Sequence, residues 1–182
     1  MKIRINNNIC FGNSEKPVII AEISANHSGK KKKFLDLIKL AHKNGADLIK
    51  IQTYEPDDIV VKSKNKRYQI KGGIWDKKYL WDLYVKAQTP YRWHKSAFKL
   101  AKKIGATLFS TPFSVRAVDF LEKHKVKLYK IASLENTDVN LINRIAQTKK
   151  PIIISTGASN CKEVKQALKI INKYHNKVII LH

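Results

Sequence analysis

Cysteine is scarce: Cys10 and Cys161 are the only two in 182 residues, far apart and in neither a CxxC nor a zinc-ligand spacing. That spacing excludes a disulfide framework and a structural zinc site and leaves two reduced thiols. No run of about eighteen apolar residues exists, and residues 1–7 lack the apolar core of a signal peptide. The expectation is a soluble cytoplasmic protein with no membrane partner. Neither GxGxxG nor GxxxxGK(S/T) occurs, so an open nucleotide-binding sheet has no motif support. Acidic residues are also few, 14 against 36 Lys and Arg, for a net charge of +22. This excess raises one alternative function, a basic polyanion- or nucleic-acid-binding module. Only five of the 36 are arginine (Arg4, Arg67, Arg92, Arg116, Arg144), whereas readout of phosphates and bases favours the bidentate Arg fork. The lysines are spread along the chain at outward helical positions, such as residues 30–33 and Lys162, Lys165 and Lys169. They read as a solvated surface, and no nucleic-acid partner is expected.

What is present is a regular alternation of apolar runs and amphipathic segments, with 43% hydrophobic residues to build a core. Strands are expected near 18–24, 46–53, 107–113, 128–133, 151–157 and 177–182. Helices are expected near 33–44, 94–104, 114–124, 138–147 and 161–174. In the first helix Phe34, Leu37, Ile38 and Ala41 fall at helical spacing, and Gly45 closes it. Strands that are apolar on both faces and linked by helices imply a parallel sheet covered by helices. A (β/α)8 TIM-type barrel and an open doubly wound sheet compete for it. A complete barrel has eight strands and typically about 250 residues, so six strands make an incomplete one. Residues 54–93 form a long excursion with a polar stretch at 62–67, Gly72, Gly73 and many aromatics. Excursions of that length commonly serve as lids or binding loops.

The apolar runs end in chemistry. Side chains alternate along a strand, so Lys50 and Gln52 share one face with Ile49 and Ile51 on the other, and Ile20, Glu22 and Ser24 share a face. With Ile49 and Ile51 packed on helices, Lys50 and Gln52 point into the barrel. The stretch Leu128-Tyr-Lys-Ile-Ala-Ser-Leu-Glu135 brings Lys130, Ser133 and Glu135 to the same rim. Lys and Glu are almost never fully buried unless paired, and barrels place catalysis at the C-terminal ends of their strands. The bland alternative is that Lys50 and Lys130 snorkel past the rim. Taken with Glu22, Gln52 and Glu135, the grouping favours function. Two ammonium groups plus Gln52, Thr111, Ser133 and Ser155 suit phosphate or carboxylate oxygens. Glu22 and Glu135 are free to bind hydroxyls or move protons, and spacing does not divide those roles.

At these residues the chain resembles a known family. Ala21-Glu-Ile-Ser-Ala-Asn-His27, Ile49-Lys-Ile-Gln-Thr53, Phe109-Ser-Thr-Pro-Phe113, Tyr129-Lys-Ile-Ala-Ser-Leu-Glu135 and Ile154-Ser-Thr-Gly157 resemble the N-terminal barrel motifs of the sialic acid synthase family. Gly73-Ile-Trp-Asp76, Leu80-Trp-Asp-Leu-Tyr84 and Ala87-Gln-Thr-Pro-Tyr-Arg-Trp-His94 resemble the pseudaminic acid synthase branch. The resemblance implies a (β/α)8 barrel enzyme that condenses phosphoenolpyruvate with an acylated amino-sugar aldehyde. It releases phosphate and forms a nine-carbon 2-keto acid, with a divalent metal (Mn or Mg) assisting. It implies that Lys50, Gln52, Thr111, Lys130, Ser133 and Ser155 hold phosphoenolpyruvate. Glu22 would then contact the sugar, Glu135 serve proton transfer around the water that adds to C2 of the enol, and Phe113 pack beside the pocket.

The resemblance also implies features outside this sequence. The family's metal is held by two histidines on later strands, its sugar site is completed by a C-terminal antifreeze-like domain, and its full-length members are homodimers. The six histidines here (His27, His42, His94, His124, His175, His182) show no HxH or HExxH pairing, so no metal ligand is assigned. His27 and His182 are placed where they could reach the rim, in a structural or sugar-contacting role. Residues 1–182 are expected to be the N-terminal barrel part of such an enzyme, a fragment inactive by itself.

Overall fold

The computed structural model describes residues 2–13 and 15–182. Six parallel strands form one curled sheet in chain order: β3 (Ile20–Glu22), β4 (Leu48–Thr53), β5 (Thr107–Pro112), β6 (Tyr129–Ile131), β7 (Ile152–Ser155) and β8 (Val178–Leu181). Helices α1 (Lys31–Lys43), α3 (Tyr91–Ile104), α4 (Val115–Lys123), α5 (Val139–Gln147) and α6 (Cys161–Ile171) connect them. Strand order that follows chain order is barrel-like; a doubly wound sheet reverses direction at a switch point. The incomplete (β/α)8 barrel is therefore the fold. No helix among the described residues is long and apolar enough to cross a membrane.

Two apolar layers explain why the strands are apolar on both faces. Ile49 and Ile51 pack outward with Phe34 and Ile38 of α1 and Trp93 and Ala97 of α3. Leu48, Phe109, Leu128 and Ile153 pack inward with Ile3, Ile5 and Ile9. The last three belong to a hairpin of β1 (Lys2–Arg4) and β2 (Cys10–Gly12) that the strand-and-helix reading passed over. Asn6 makes its turn by accepting from the backbone N–H groups of Asn8 and Ile9 (2.9 and 2.8 Å), and donates to Thr107 Oγ1 at the start of β5 (2.9 Å). The hairpin thus closes the N-terminal end of the half-barrel, and Asn side chains are suited to such turns.

Helix ends obey local rules. After α1, Gly45 at φ 86° lets its own N–H reach His42 O and that of Ala46 reach Ala41 O, the paired bonds that satisfy a helix's last carbonyls. Ser114, Asp138 and Asn160 cap α4, α5 and α6 with side-chain oxygens. The excursion is more ordered than expected. It contains helix α2 (Leu80–Ala87), a Gln69–Tyr79 bridge, and a turn in which Gly72 and Gly73 both take positive φ. Helix α3 begins at Tyr91, three residues before the expected start, because Pro90 sits just ahead of it and lacks only a donor that a helix start leaves unused. Arg116 ties the excursion to α4 through Glu55 (2.9 Å) and Asp58 (3.1 Å).

Candidate active site

The C-terminal ends of β3 to β7 bring most of the expected residues together. Lys50 Nζ lies 3.3 Å from Glu22 Oε1 and donates to Thr111 Oγ1 at 3.3 Å. Lys130 Nζ donates to Ser155 Oγ at 2.5 Å. The two lysines are only 6% and 7% exposed, so they do not snorkel into solvent. Parallel pairing sets this arrangement: Glu22 is in register with Lys50, and Gln52 with Thr111.

Each buried charge feels the others. Burial lowers the Lys130 pKa, Lys50 lowers it further, and Glu22 and Glu135 oppose them. The Glu135 carboxyl is raised above the usual carboxylate range, first by burial and also by Asp138, against the pull of its own backbone N–H and of Lys130. Its Oε2 is buried with no hydrogen-bond partner among the described residues. A carboxyl held this way is available to take or give a proton. Two ammonium groups with hydroxyl donors beside them form a cradle for a small anion, since charge-assisted hydrogen bonds are the strong ones.

Strand β6 ends earlier than expected because residues from Ser133 wind into a 3₁₀ turn (Ser133–Thr137). This turn presents Ser133 and Glu135 to the rim. Asn136, which the sequence reading did not single out, fastens it by donating to Ser155 O (2.5 Å) and Ser159 Oγ (3.0 Å). Gly157 lies close by; a Cβ there would stand 3.1 Å from Ser133 Oγ. Gln52, Ser133, Glu135 and Phe113 line a cleft of about 280 Å³ together with Tyr54, Ile59 and Tyr84. Phe113 thus lies in the same cleft as Gln52, Ser133 and Glu135, and Tyr54 and Tyr84 are additional. The signal for them was the aromatic richness of the excursion, but sequence spacing could not show which rings turn inward.

The histidines sort differently. His27 does not reach the rim: it is fully buried, edge-on to Phe34 (5.9 Å) and Trp93 (5.3 Å), and its Nδ1 accepts from the Gly29 N–H. The apolar α1–α3 layer draws the ring in, which is a structural role. His182 is exposed beyond β8. His94 is buried against the outer face of β4, with Nε2 2.8 Å from Thr53 Oγ1 and Nδ1 3.2 Å from Pro90 O. Burial pulls its pKa down to about 4. Because the unfolded imidazole titrates near about 6.5, the unfolded chain binds the extra proton between those values. Stability is complete above pH about 6.5 and falls by about 3 kcal/mol as pH drops toward about 4. Urea midpoints of a complete protein carrying these residues should follow that slope, and His94→Gln should flatten it. An equal slope in both proteins would remove His94 as the cause.

Among the described residues, no three His, Cys, Asp or Glu side chains gather as a metal-holding group. Glu22 faces Lys50, and Glu55 and Asp58 face Arg116, while Glu135 stands in no such group of acidic or histidine side chains among the described residues. These residues do not make a divalent-metal site.

The strand ends of this half-barrel gather two buried ammonium groups, neutral donors and two carboxylates at the rim where barrels of this class place their sites. Comparison with known proteins narrows the class. The chain belongs to the NeuB family, whose model matches residues 37–182. It is 44% identical over 170 residues to the pseudaminic acid synthase of Campylobacter jejuni, covering 93% of this chain and 50% of that protein. It is 40% identical over 167 residues to the pseudaminic acid synthase of Helicobacter pylori, covering 92% and 49%. The structure of the N-acetylneuraminic acid (sialic acid) synthetase of Leptospira borgpetersenii, in complex with citrate, superimposes with a TM-score of 0.86 at 26% identity. That match covers 100% of this chain and 59% of the other. The chain thus spans about half the length of the curated relatives it matches.

Proposed function

We propose that this chain supplies the phosphoenolpyruvate-binding half of a pseudaminic acid synthase-type enzyme, joining phosphoenolpyruvate to an acylated amino-sugar aldehyde. The observation that carries the reading is the pair of buried lysines, each on a hydroxyl and both at one rim. In the reaction C3 of the enol forms a bond to the aldehyde carbon, water adds to C2, and the C2–O bond to phosphate breaks. The products are a nine-carbon 2-keto acid and phosphate. Lys50, Lys130, Thr111, Ser133, Ser155 and Gln52 hold the phosphate and carboxylate oxygens and keep the two carbons in line. Glu22, half exposed beside Lys50, contacts sugar hydroxyls. Glu135 handles the proton of the attacking water. A divalent metal, as the family resemblance implies, would be held by residues outside this chain, and full-length homodimers are part of the same proposal.

A complete synthase provides the test: these 182 residues continued by the C-terminal half of the Campylobacter jejuni pseudaminic acid synthase. Replacing Lys50 or Lys130 with Met removes one charged hydrogen bond to the anion, about 1.5 to 3 kcal/mol. The Michaelis constant for phosphoenolpyruvate should rise about tenfold or more in each variant. Unchanged constants in both variants would sink the assignment.

A further inference from the structure

The site stands on two kinds of backbone. Lys50, Thr111, Lys130 and Ser155 lie on strands, where the sheet's hydrogen bonds hold them. Ser155 is in register with Leu181, and the next residue, Thr156, donates its N–H to Leu181 O at 3.2 Å. Ser133 and Glu135 lie instead on the five-residue 3₁₀ turn, whose hydrogen-bond geometry is poorer than that of an α-helix. Leu134, 74% exposed, does not pin this turn down. Asn136 does: it is 3% exposed and the one buried side chain of the turn. Its Nδ2 donates to Ser155 O at 2.5 Å and to Ser159 Oγ at 3.0 Å, and Ser159 Oγ donates onward to Ser133 O at 3.5 Å. A carbonyl oxygen only accepts, so it is the amide nitrogen that faces Ser155. Ser155 also takes the Lys130 ammonium on its hydroxyl. One side chain therefore sets the turn that carries Glu135 against the strand end that carries the partner of Lys130.

We propose that Asn136 is a positioning residue for the reaction: through Ser155 and Ser159 it holds Glu135 at a fixed distance and orientation from the anion cradle. The inference rests on the function proposed above and names what keeps its proton-transfer group in place. Asn136 does not line the cleft that Glu135 lines, so it acts through Glu135 and not on substrate. Its Oδ1 is buried with no hydrogen-bond partner among the described residues, which costs stability. An apolar side chain would fill the same space without that cost, but it could not tie the turn to Ser155. Placement matters to rate, since a shift of about 1 Å in a reacting group costs about 10²-fold. The same fastening keeps the Glu135 carboxyl out of water. Burial and Asp138 raise its pKa against its own backbone N–H and Lys130, so a loosened turn lets that value fall back toward the ordinary carboxylate range.

The experiment uses the complete synthase described above and reads phosphate release from phosphoenolpyruvate with an acylated amino-sugar aldehyde and Mn²⁺. Asn136→Ala should lower kcat by about 10- to 100-fold, while the Michaelis constant for phosphoenolpyruvate moves by less than about threefold because the cradle stays on its strands. Ser159→Ala removes one of the two acceptors and should lower kcat by about threefold or more. The double variant separates positioning from a general structural role. In a Glu135→Gln background Asn136→Ala should lower kcat by less than about twofold further, because residues that act as a unit are not additive. In Asn136→Ala alone, the limb of the pH profile that belongs to Glu135 should move to lower pH. If the thermal transition shows that Asn136→Ala does not fold, Ser159→Ala, at a half-buried loop position, carries the same comparisons. An unchanged kcat in both single variants, or the same loss with and without Glu135→Gln, would overturn the inference while the proposed function stands. A folded parent protein that releases no phosphate would overturn both.

Discussion

Glu135→Gln in a complete synthase should lower turnover by about 10²- to 10⁴-fold while leaving the Michaelis constant for phosphoenolpyruvate nearly unchanged. Gln preserves the shape and reach of the side chain but cannot exchange a proton. The geometry supports this choice of residue over Glu22. Glu135 is the carboxyl raised by burial and left with an unpartnered oxygen; Glu22 is half exposed and ion-paired with Lys50. If Glu135 acts as a base, the rate rises with pH as its carboxyl ionises, above the range of an ordinary carboxylate, and that limb of the profile disappears in Glu135→Gln. Glu22→Gln should act mainly on the Michaelis constant for the sugar. A sugar constant that moved only in Glu135→Gln would reverse the two roles.

The second large effect concerns the edges of the sheet. Within the six-stranded sheet β3 pairs only with β4, and β8 only with β7. The adjoining side chains are apolar and exposed, with Ile19 at 62%, Ile180 at 51% and Leu181 at 40%. A row of unpaired backbone groups flanked by such residues templates association. A polypeptide of these 182 residues alone should elute from a sizing column well ahead of a monomer and release no phosphate from phosphoenolpyruvate. Ile180→Lys, which sets a charge on the β8 edge, should shift it toward monomer. A monodisperse monomer with a cooperative thermal transition would refute the folding half of this expectation. Metal-dependent turnover by that polypeptide would refute the other half.

Strand and helix identity, and the inward face of β4, follow from local rules that the sequence states openly. Lys50 and Gln52 face inward because side chains alternate along any strand, whatever surrounds it. Gly45, Ser114, Asp138 and Asn160 end or start helices because their side chains, or the lack of one, settle the nearby backbone groups. The motif residues Glu22, Thr111, Lys130, Ser133, Glu135 and Ser155 could be gathered at one rim from strand ends alone, since parallel strands joined by helices present their C-terminal ends together. The tertiary structure decided what depends on distant partners. Lys50 and Lys130 are buried rather than snorkelling because neighbouring strands supply Glu22, Thr111 and Ser155 as partners. His27 turned into the α1–α3 layer because Phe34 and Trp93 make a site for an aromatic ring. The hairpin β1–β2, too short to announce itself by periodicity, exists because the interior end of the half-barrel offers Leu48, Phe109 and Leu128 for Ile3, Ile5 and Ile9 to cover. The apolar cleft is of the same kind: its walls lie far apart in the chain, and no local pattern encodes which of their side chains meet, because only the closed packing of α2 over the strand ends brings them together.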